Sequence, residues 1–256
     1  MTFEPTAVNI LVLVAMAAYA AAGALLVRRR AAGWAAYGAG FGAAVGAFVV
    51  RWVQVGHVPF QNLYEVFLAM GAMMLPISLV CRRALKVGLE FADAWIGVAV
   101  LFPVAFGVFD PAPQYLPPAL QSPLFVPHVA AYLAAYVVLV KAAVQAAGCV
   151  LGRSAALEQA THRMVLLGFP MLTAGLVLGA YWARLAWDDY WGWDPKELWS
   201  LASWLAFLGY LHVRGTLGVR YPRLGSALVV LGAVLILITL LWVNLSARFA
   251  GLHSYA

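Results

Sequence analysis

Five of the chain's ten tryptophans, Trp182, Trp187, Trp191, Trp193 and Trp199, fall between residues 179 and 200. With them stand Tyr181 and Tyr190, the acids Asp188, Asp189, Asp194 and Glu197, and the bases Arg184 and Lys196. The preference of indole for the membrane interface explains one or two tryptophans near the end of an apolar span. It does not explain a cluster this dense. Flat rings interleaved with charge make an apolar wall with a polar rim, which suits a planar ligand with polar edges. Asp194, Pro195 and Glu197 also have the spacing of a capped helix start: an N-cap acid, Pro at the first helical position, and an acid three residues after the cap. Five histidines, His57, His128, His162, His212 and His253, complete the reactive groups. A lone histidine in an apolar chain is usually satisfied by a neighbouring helix or carbonyl. Burying an ionisable group nevertheless costs energy, and a neutral imidazole is a good metal ligand.

The elements that must position these residues are membrane spans. Of 256 residues, 65% are apolar and 10% charged, with a mean hydropathy of +0.89, whereas a soluble domain carries about a quarter of its residues as charges. The pattern predicts an all-α polytopic membrane protein of about eight transmembrane helices, roughly 7–27, 34–55, 64–81, 92–109, 128–151, 164–182, 198–213 and 224–247. It reads as a single integral membrane domain over 1–256, with 179–200 as an aromatic loop on the outer side. Arg28, Arg29, Arg30, Arg82, Arg83, Lys86, Arg153, Arg163, Arg214, Arg220 and Arg223 are eleven of the sixteen basic residues, and all fall in alternate connections. The opposite connections hold only Arg184, Lys196 and Arg248. By the positive-inside rule the first set is cytoplasmic, so both termini face out across the cytoplasmic membrane. The first helix does not read as a cleaved signal, because its basic residues follow the apolar run and Glu4 precedes it. The net charge of +6 reports loop orientation rather than nucleic-acid binding. Cys81 and Cys149 are too few and too distant for a disulfide framework and form no Cys-x-x-Cys-His haem attachment site.

The run Trp191-Gly192-Trp193-Asp194-Pro195-Lys196-Glu197, with Trp182 and Trp187 upstream, closely resembles the tryptophan-rich "WWD" domain of cytochrome c assembly proteins of the CcsA/ResC type, relatives of CcmC and CcmF. Its Asp-Pro-Lys-Glu ending is similar to the CcsA branch. The resemblance extends to Gly56-His57-Val58-Pro59-Phe60-Gln61-Asn62-Leu63-Tyr64-Glu65, to the span opening at His128, to Tyr210-Leu211-His212, and to Gly251-Leu252-His253-Ser254-Tyr255. This chain departs from the family in carrying Arg184 and Asp188 where Asn and Gly are common.

His128 opens span five and His253 follows span eight on the same side, so spacing alone allows them to share a ligand. The resemblance implies that both ligate the iron of haem b, with Trp182, Trp187, Tyr190, Trp191, Trp193, Asp194 and Trp199 holding the ring. His212 lies fourteen residues into span seven, roughly 21 Å below its outer end. It is either an interfacial histidine beside Arg214 or, as the resemblance implies, an inner haem ligand whose counterpart comes from a partner protein. His162 reads as solvated in a cytoplasmic loop, and Lys141 as a snorkelling lysine near the inner side. His57, at the outer end of span two, suits a structural or cavity-lining role. Arg51 could pair with Glu65 or meet a haem propionate. The function implied is a haem-binding and haem-delivery subunit of a system II cytochrome c synthase, a haem lyase acting with a ResB/CcsB-type membrane partner. Its other partners would be apocytochrome c, presenting Cys-x-x-Cys-His, and a thiol-reducing pathway. A membrane electron-transfer cytochrome b subunit, or a haem exporter that makes no thioether, are the alternatives. The first normally needs at least four histidines within spans.

Overall fold

A computed structural model describes residues 6–152, 154–218 and 220–245. Among them there is no strand. Eight principal helices follow in order: α1 Ala7–Leu25, α2 Arg30–Val55, α3 Leu63–Arg83, α4 Glu90–Ala105, α5 Phe125–Gly152, α6 Ala155–Trp187, α7 Pro195–Leu217 and α8 Pro222–Leu237. A π turn, Ile238–Trp242, and a last helical turn, Val243–Leu245, continue α8. Six of these helices are long and apolar enough to cross a membrane, namely α1, α2, α3, α5, α6 and α8 with its continuation. At 16 residues α4 is shorter than a full span. α7 carries Lys196, Glu197, His212 and Arg214. The chain is a multi-pass membrane protein, and it divides into two compact units, one holding α1–α4 and the other α5–α8 together with Leu85–Val87.

In the first unit small residues let helices approach closely, the usual packing device where lipid removes the hydrophobic drive between spans. Tyr19 is fully buried against Gly40 and Gly97, where an added Cβ would lie 2.5 and 2.7 Å from its ring, and its hydroxyl donates to the Gly71 carbonyl at 2.8 Å. Tyr37 shares a 3.0 Å hydrogen bond with Ser78, which donates to Asp93 at 2.5 Å, so a hydroxyl chain serves a fully buried carboxylate. The left-handed Gly56 ends α2, and the Asn62 side chain caps α3 by accepting from Glu65 N at 3.0 Å.

The second unit differs most from the sequence reading. α6 runs 33 residues, well beyond the expected 164–182. Ser154 caps it by accepting from Leu157 N, and the good helix formers that follow absorb the expected cytoplasmic loop. His162 is therefore on α6, where its Nδ1 and the Tyr210 hydroxyl share a 3.4 Å hydrogen bond. At the other end α6 continues through Trp182 to Trp187 and stops where Asp188 turns left-handed at φ 65°. The segment expected as a loop over 179–200 is thus non-helical only between Asp188 and Asp194. α7 packs antiparallel to α6: the Trp204 indole N–H donates to Thr173 Oγ1 at 2.9 Å, and the Arg214 guanidinium pairs with Glu158.

Candidate functional site

His128, in the first turn of α5, packs against the last third of α6. The contact depends on two glycines one helical turn apart. A Cβ at Gly179 would lie 2.6 Å from His128 Cε1, and one at Gly175 would lie 2.9 Å from the ring of Tyr132. Into the space they leave, the His128 ring turns so that Nδ1 lies 2.9 Å from the Gly175 carbonyl oxygen. A carbonyl only accepts, so Nδ1 carries the proton and Nε2 of the neutral ring carries the lone pair. Trp182 stacks on the imidazole at 5.8 Å and 19°, while Tyr132 meets it edge-on at 5.1 Å and 90°.

This packing yields a stability prediction. Gly179→Ala should destabilise the protein by about 2 kcal/mol through overpacking against the imidazole. Gly42→Ala, at a position with nothing within 4 Å, should be neutral or slightly stabilising. Thermal unfolding of the two variants in detergent makes the comparison. Equal unfolding temperatures would mean that Gly179 is not tightly packed.

The aromatic residues divide by exposure. Trp182 is 2% exposed and donates its indole N–H to the Ala119 carbonyl at 2.9 Å, so it supports His128 from within the unit. Trp187 meets Trp182 edge-on at 4.7 Å and is half-buried, as are Trp191 and Trp199. Trp193 is 68% exposed, edge-on to Trp191 at 6.1 Å, and its backbone is held at φ 58°, a region bulky residues avoid. Tyr190 and Tyr181 are exposed and meet edge-on at 5.8 Å, with the Arg184 guanidinium 5.9 Å from the Tyr190 ring. Arg184 also bonds the carboxylate and carbonyl of Asp188.

The turn into α7 is fixed by the capping box that the sequence predicts. Asp194 is the N-cap, Pro195 opens the helix, and the Asp194 carboxylate accepts from Lys196 N at 2.9 Å. Glu197 Oε2 reaches back to accept from Gly192 N at 2.9 Å and Asp194 N at 3.1 Å. Both carboxylates are buried, and that of Glu197 holds the Trp191–Trp193 segment by its backbone at Gly192. Half-buried Lys196 has its amine lowered to about 8 by partial withdrawal from water, opposed by the neighbouring Asp194 charge. One turn further, the Ser200 hydroxyl bonds with those of Tyr132 and Tyr136 on α5.

The remaining predicted residues lie elsewhere. His212 is exposed on α7, with Leu205 and Leu208 on the same exposed face. His57 and Arg51 are in the first unit. The His57 ring nitrogens meet the carbonyls of Val58 at 3.1 Å and Gln114 at 3.4 Å. Of the two roles the sequence allows Arg51, the structure shows the pairing with Glu65. Arg51 Nε and Nη2 donate to Glu65 Oε1 at 3.0 and 2.9 Å, and Nη1 donates to the Pro111 carbonyl at 2.7 Å. Lys141 is 2% exposed within α5 rather than at its surface. His253 lies outside the described residues. Sequence reasoning missed Gly175, Gly179, Tyr132 and Ser200. The matched four-residue spacings of Gly175 with Gly179 and of His128 with Tyr132 were the available signal.

The sequence pattern described as "Cytochrome C assembly protein" matches residues 60–250. The "Cytochrome c biogenesis protein CcsA" of Synechococcus sp. (strain CC9605) is 31% identical over 248 residues, covering 81% of each chain. The protein of the same name from Chlamydomonas reinhardtii is 33% identical over 227 residues, covering 81% of this chain and 63% of that one. The solved structure of "Cytochrome c Heme Lyase CcmF" superposes with a TM-score of 0.61 at 20% identity, a likeness of fold that spans 92% of this chain and 48% of the lyase.

Proposed function

The chain belongs to the cytochrome c assembly protein family, and we propose that it is the haem-binding and haem-delivery subunit of a system II cytochrome c synthase. The observation that carries this reading is the fixed tautomer of His128. An imidazole whose Nδ1–H is held by a carbonyl presents a lone pair at Nε2, the arrangement usual for a metal-bound histidine. The exposed rings of Trp193, Tyr190 and Tyr181 suit the face of a porphyrin, with Trp191 edge-on to Trp193 and Trp187 edge-on to the Trp182 that stacks on His128. The residues present fit haem b, whose iron His128 would hold, with His253 as the expected second ligand. On the positive-inside reading of eight spans with both termini out, this site faces the extracytoplasmic side.

Bound haem supplies the vinyl groups that become thioethers. The chain's own residues do the rest. His128 would hold the iron, the aromatic wall would exclude water, and the Asp194–Glu197 capping box would keep the loop that meets the ring fixed. His212, exposed on α7 roughly 21 Å along the helix from Leu198, suits an inner haem site shared with a ResB/CcsB-type partner. An apocytochrome kept reduced by a thiol pathway would present Cys-x-x-Cys-His at the aromatic end. Arg51 and His57 keep the loop of the first unit in place.

The test is co-expression of the chain and its partner subunit with a secreted Cys-x-x-Cys-His reporter. Covalent haem is then read on the denatured reporter, and the spectrum is read on the purified complex. Haem on both is expected. The His212→Ala complex should carry less haem, with loading restored by added imidazole. Haem on the complex with none on the reporter would favour an exporter and sink the synthase assignment.

A further inference from the structure

We propose that the cleft between the start of α8 and the facing ends of α6 and α7 binds a phosphate group, carried by a membrane phospholipid or free in solution. The cleft encloses about 300 Å³, part of it open to solvent. Its walls include Glu158 and Thr161 of α6, Tyr210 and Arg214 of α7, and Ser226 of α8. It lies at the opposite end of α6 from the glycines that admit His128, and the inference does not depend on the haem reading. His212 belongs to neither wall: two residues from both Tyr210 and Arg214, it falls on the opposite side of α7.

The donors that meet in the cleft suit an oxyanion. The Thr161 hydroxyl donates to the Leu157 carbonyl at 2.8 Å, and the Tyr210 hydroxyl shares its 3.4 Å bond with His162. Ser226 is 4% exposed, yet its hydroxyl has no partner among the described residues. A buried hydroxyl left unpaired costs free energy that a ligand oxygen would return. α8 also begins without a side-chain cap: Tyr221 makes no cap bond and Pro222 has no N–H. The N–H groups of its first turn and the helix dipole therefore favour negative charge there. Side chains lean towards the N-terminus of their helix, so Ser226 points back to that turn. Space comes from Gly218, a wall residue at φ 60° with nothing within 4 Å of an added Cβ. The Glu158 charge is neutralised by Arg214, whereas exposed Arg220 and Arg223 form no ion pair among the described residues. The Arg220 guanidinium is 5.8 Å from the ring of Tyr221, another wall residue, so the mouth carries net positive charge. Leu217 and Leu224, each next in sequence to a wall glycine, are exposed and offer apolar surface to acyl chains beside the phosphate.

The proposal is tested by calorimetric titration of the purified full-length protein with its partner subunit in an uncharged detergent. The titrants are dihexanoyl phosphatidylglycerol, dihexanoylglycerol, which lacks the phosphate, and inorganic phosphate. Wild type should bind the phosphatidylglycerol about tenfold or more tightly than the dihexanoylglycerol. Ser226→Ala should weaken phosphatidylglycerol binding about tenfold, the loss expected for one charge-assisted hydrogen bond, while an unfolding temperature near that of wild type shows that the variant is folded. The substitution changes no charge, so non-specific attraction to Arg220 and Arg223 would leave the affinity unaltered. Inorganic phosphate that binds as tightly as the lipid, and is weakened alike by Ser226→Ala, identifies free phosphate as the ligand. Weaker binding of inorganic phosphate identifies the phospholipid. Equal affinity of Ser226→Ala and wild type, equal binding of dihexanoylglycerol, or binding of neither phosphate compound overturns the proposal.

Discussion

His128→Ala is expected to strip haem from the purified complex and to cut covalent haem on a co-expressed reporter to below about a tenth of wild type. Removing even a group that only supports a metal ligand typically costs about 10- to 100-fold, and His128 is proposed as the ligand itself. The variant leaves Trp182 and Tyr132 facing a small cavity, with no charge buried or exposed, so the fold should survive. His128→Gly with added imidazole should recover part of the haem spectrum, because the Gly175 carbonyl remains to orient the added ring. His253→Ala should give the same loss if both histidines serve one iron. Retention of a wild-type spectrum and full maturation by both alanine variants would show that neither is an axial ligand.

Arg51→Met should produce the largest loss of stability. Arg51 and Glu65 are 2% and 1% exposed, and the guanidinium is the carboxylate's partner at 2.9 Å. Its removal leaves Glu65 Oε2 accepting from Gln61 N at 3.0 Å, with an uncompensated charge. Breaking such a buried pair costs about 3–5 kcal/mol, while replacing both partners by neutral groups costs much less. The unfolding temperature of Arg51→Met should therefore fall by about 10 °C or more, and Arg51→Met with Glu65→Gln should recover most of it. Because Arg51 also donates to the Pro111 and Ala112 carbonyls at 2.7 and 3.3 Å, limited proteolysis within 110–117 should accelerate in both variants. An unchanged melting curve for the single variant would mean that Glu65 finds another partner or is neutral.

The sequence made some parts of this protein legible and hid others, for identifiable reasons. Each of the eight expected spans overlaps one principal helix, because runs of apolar residues between clusters of Arg and Lys are a long-range signal that no local detail erases. The Asp194–Glu197 capping box was equally readable, since its spacing is fixed by backbone geometry. The ends of α6 were not. Residues 155–163 and 183–187 are polar enough to read as loops, yet they are good helix formers, and hydropathy measures solvent preference rather than backbone conformation. That confusion placed His162 in solvent and Trp182 on a loop, whereas helical geometry puts Trp182 behind His128. The two glycines that admit His128 and Tyr132 were invisible to composition, because their role is to be absent from space another side chain fills. Arg51 was ambiguous because a charge in a span says that a partner exists without saying which.

The length of α6 has a mechanical consequence. Thirty-three residues make a rod about 50 Å long, against a hydrocarbon layer of about 30 Å. Even at a tilt of about 40° the rod covers more than that thickness, so some of it always stands clear of the lipid tails. The notch that receives His128, at Gly175 and Gly179, lies roughly 12–18 Å short of the C-terminal end of this mast, and its depth in the membrane is set by the mast's lean. A thinner bilayer or a more upright helix lifts the site towards water, and a thicker bilayer draws it down. The lipid therefore sets the elevation of the His128 notch.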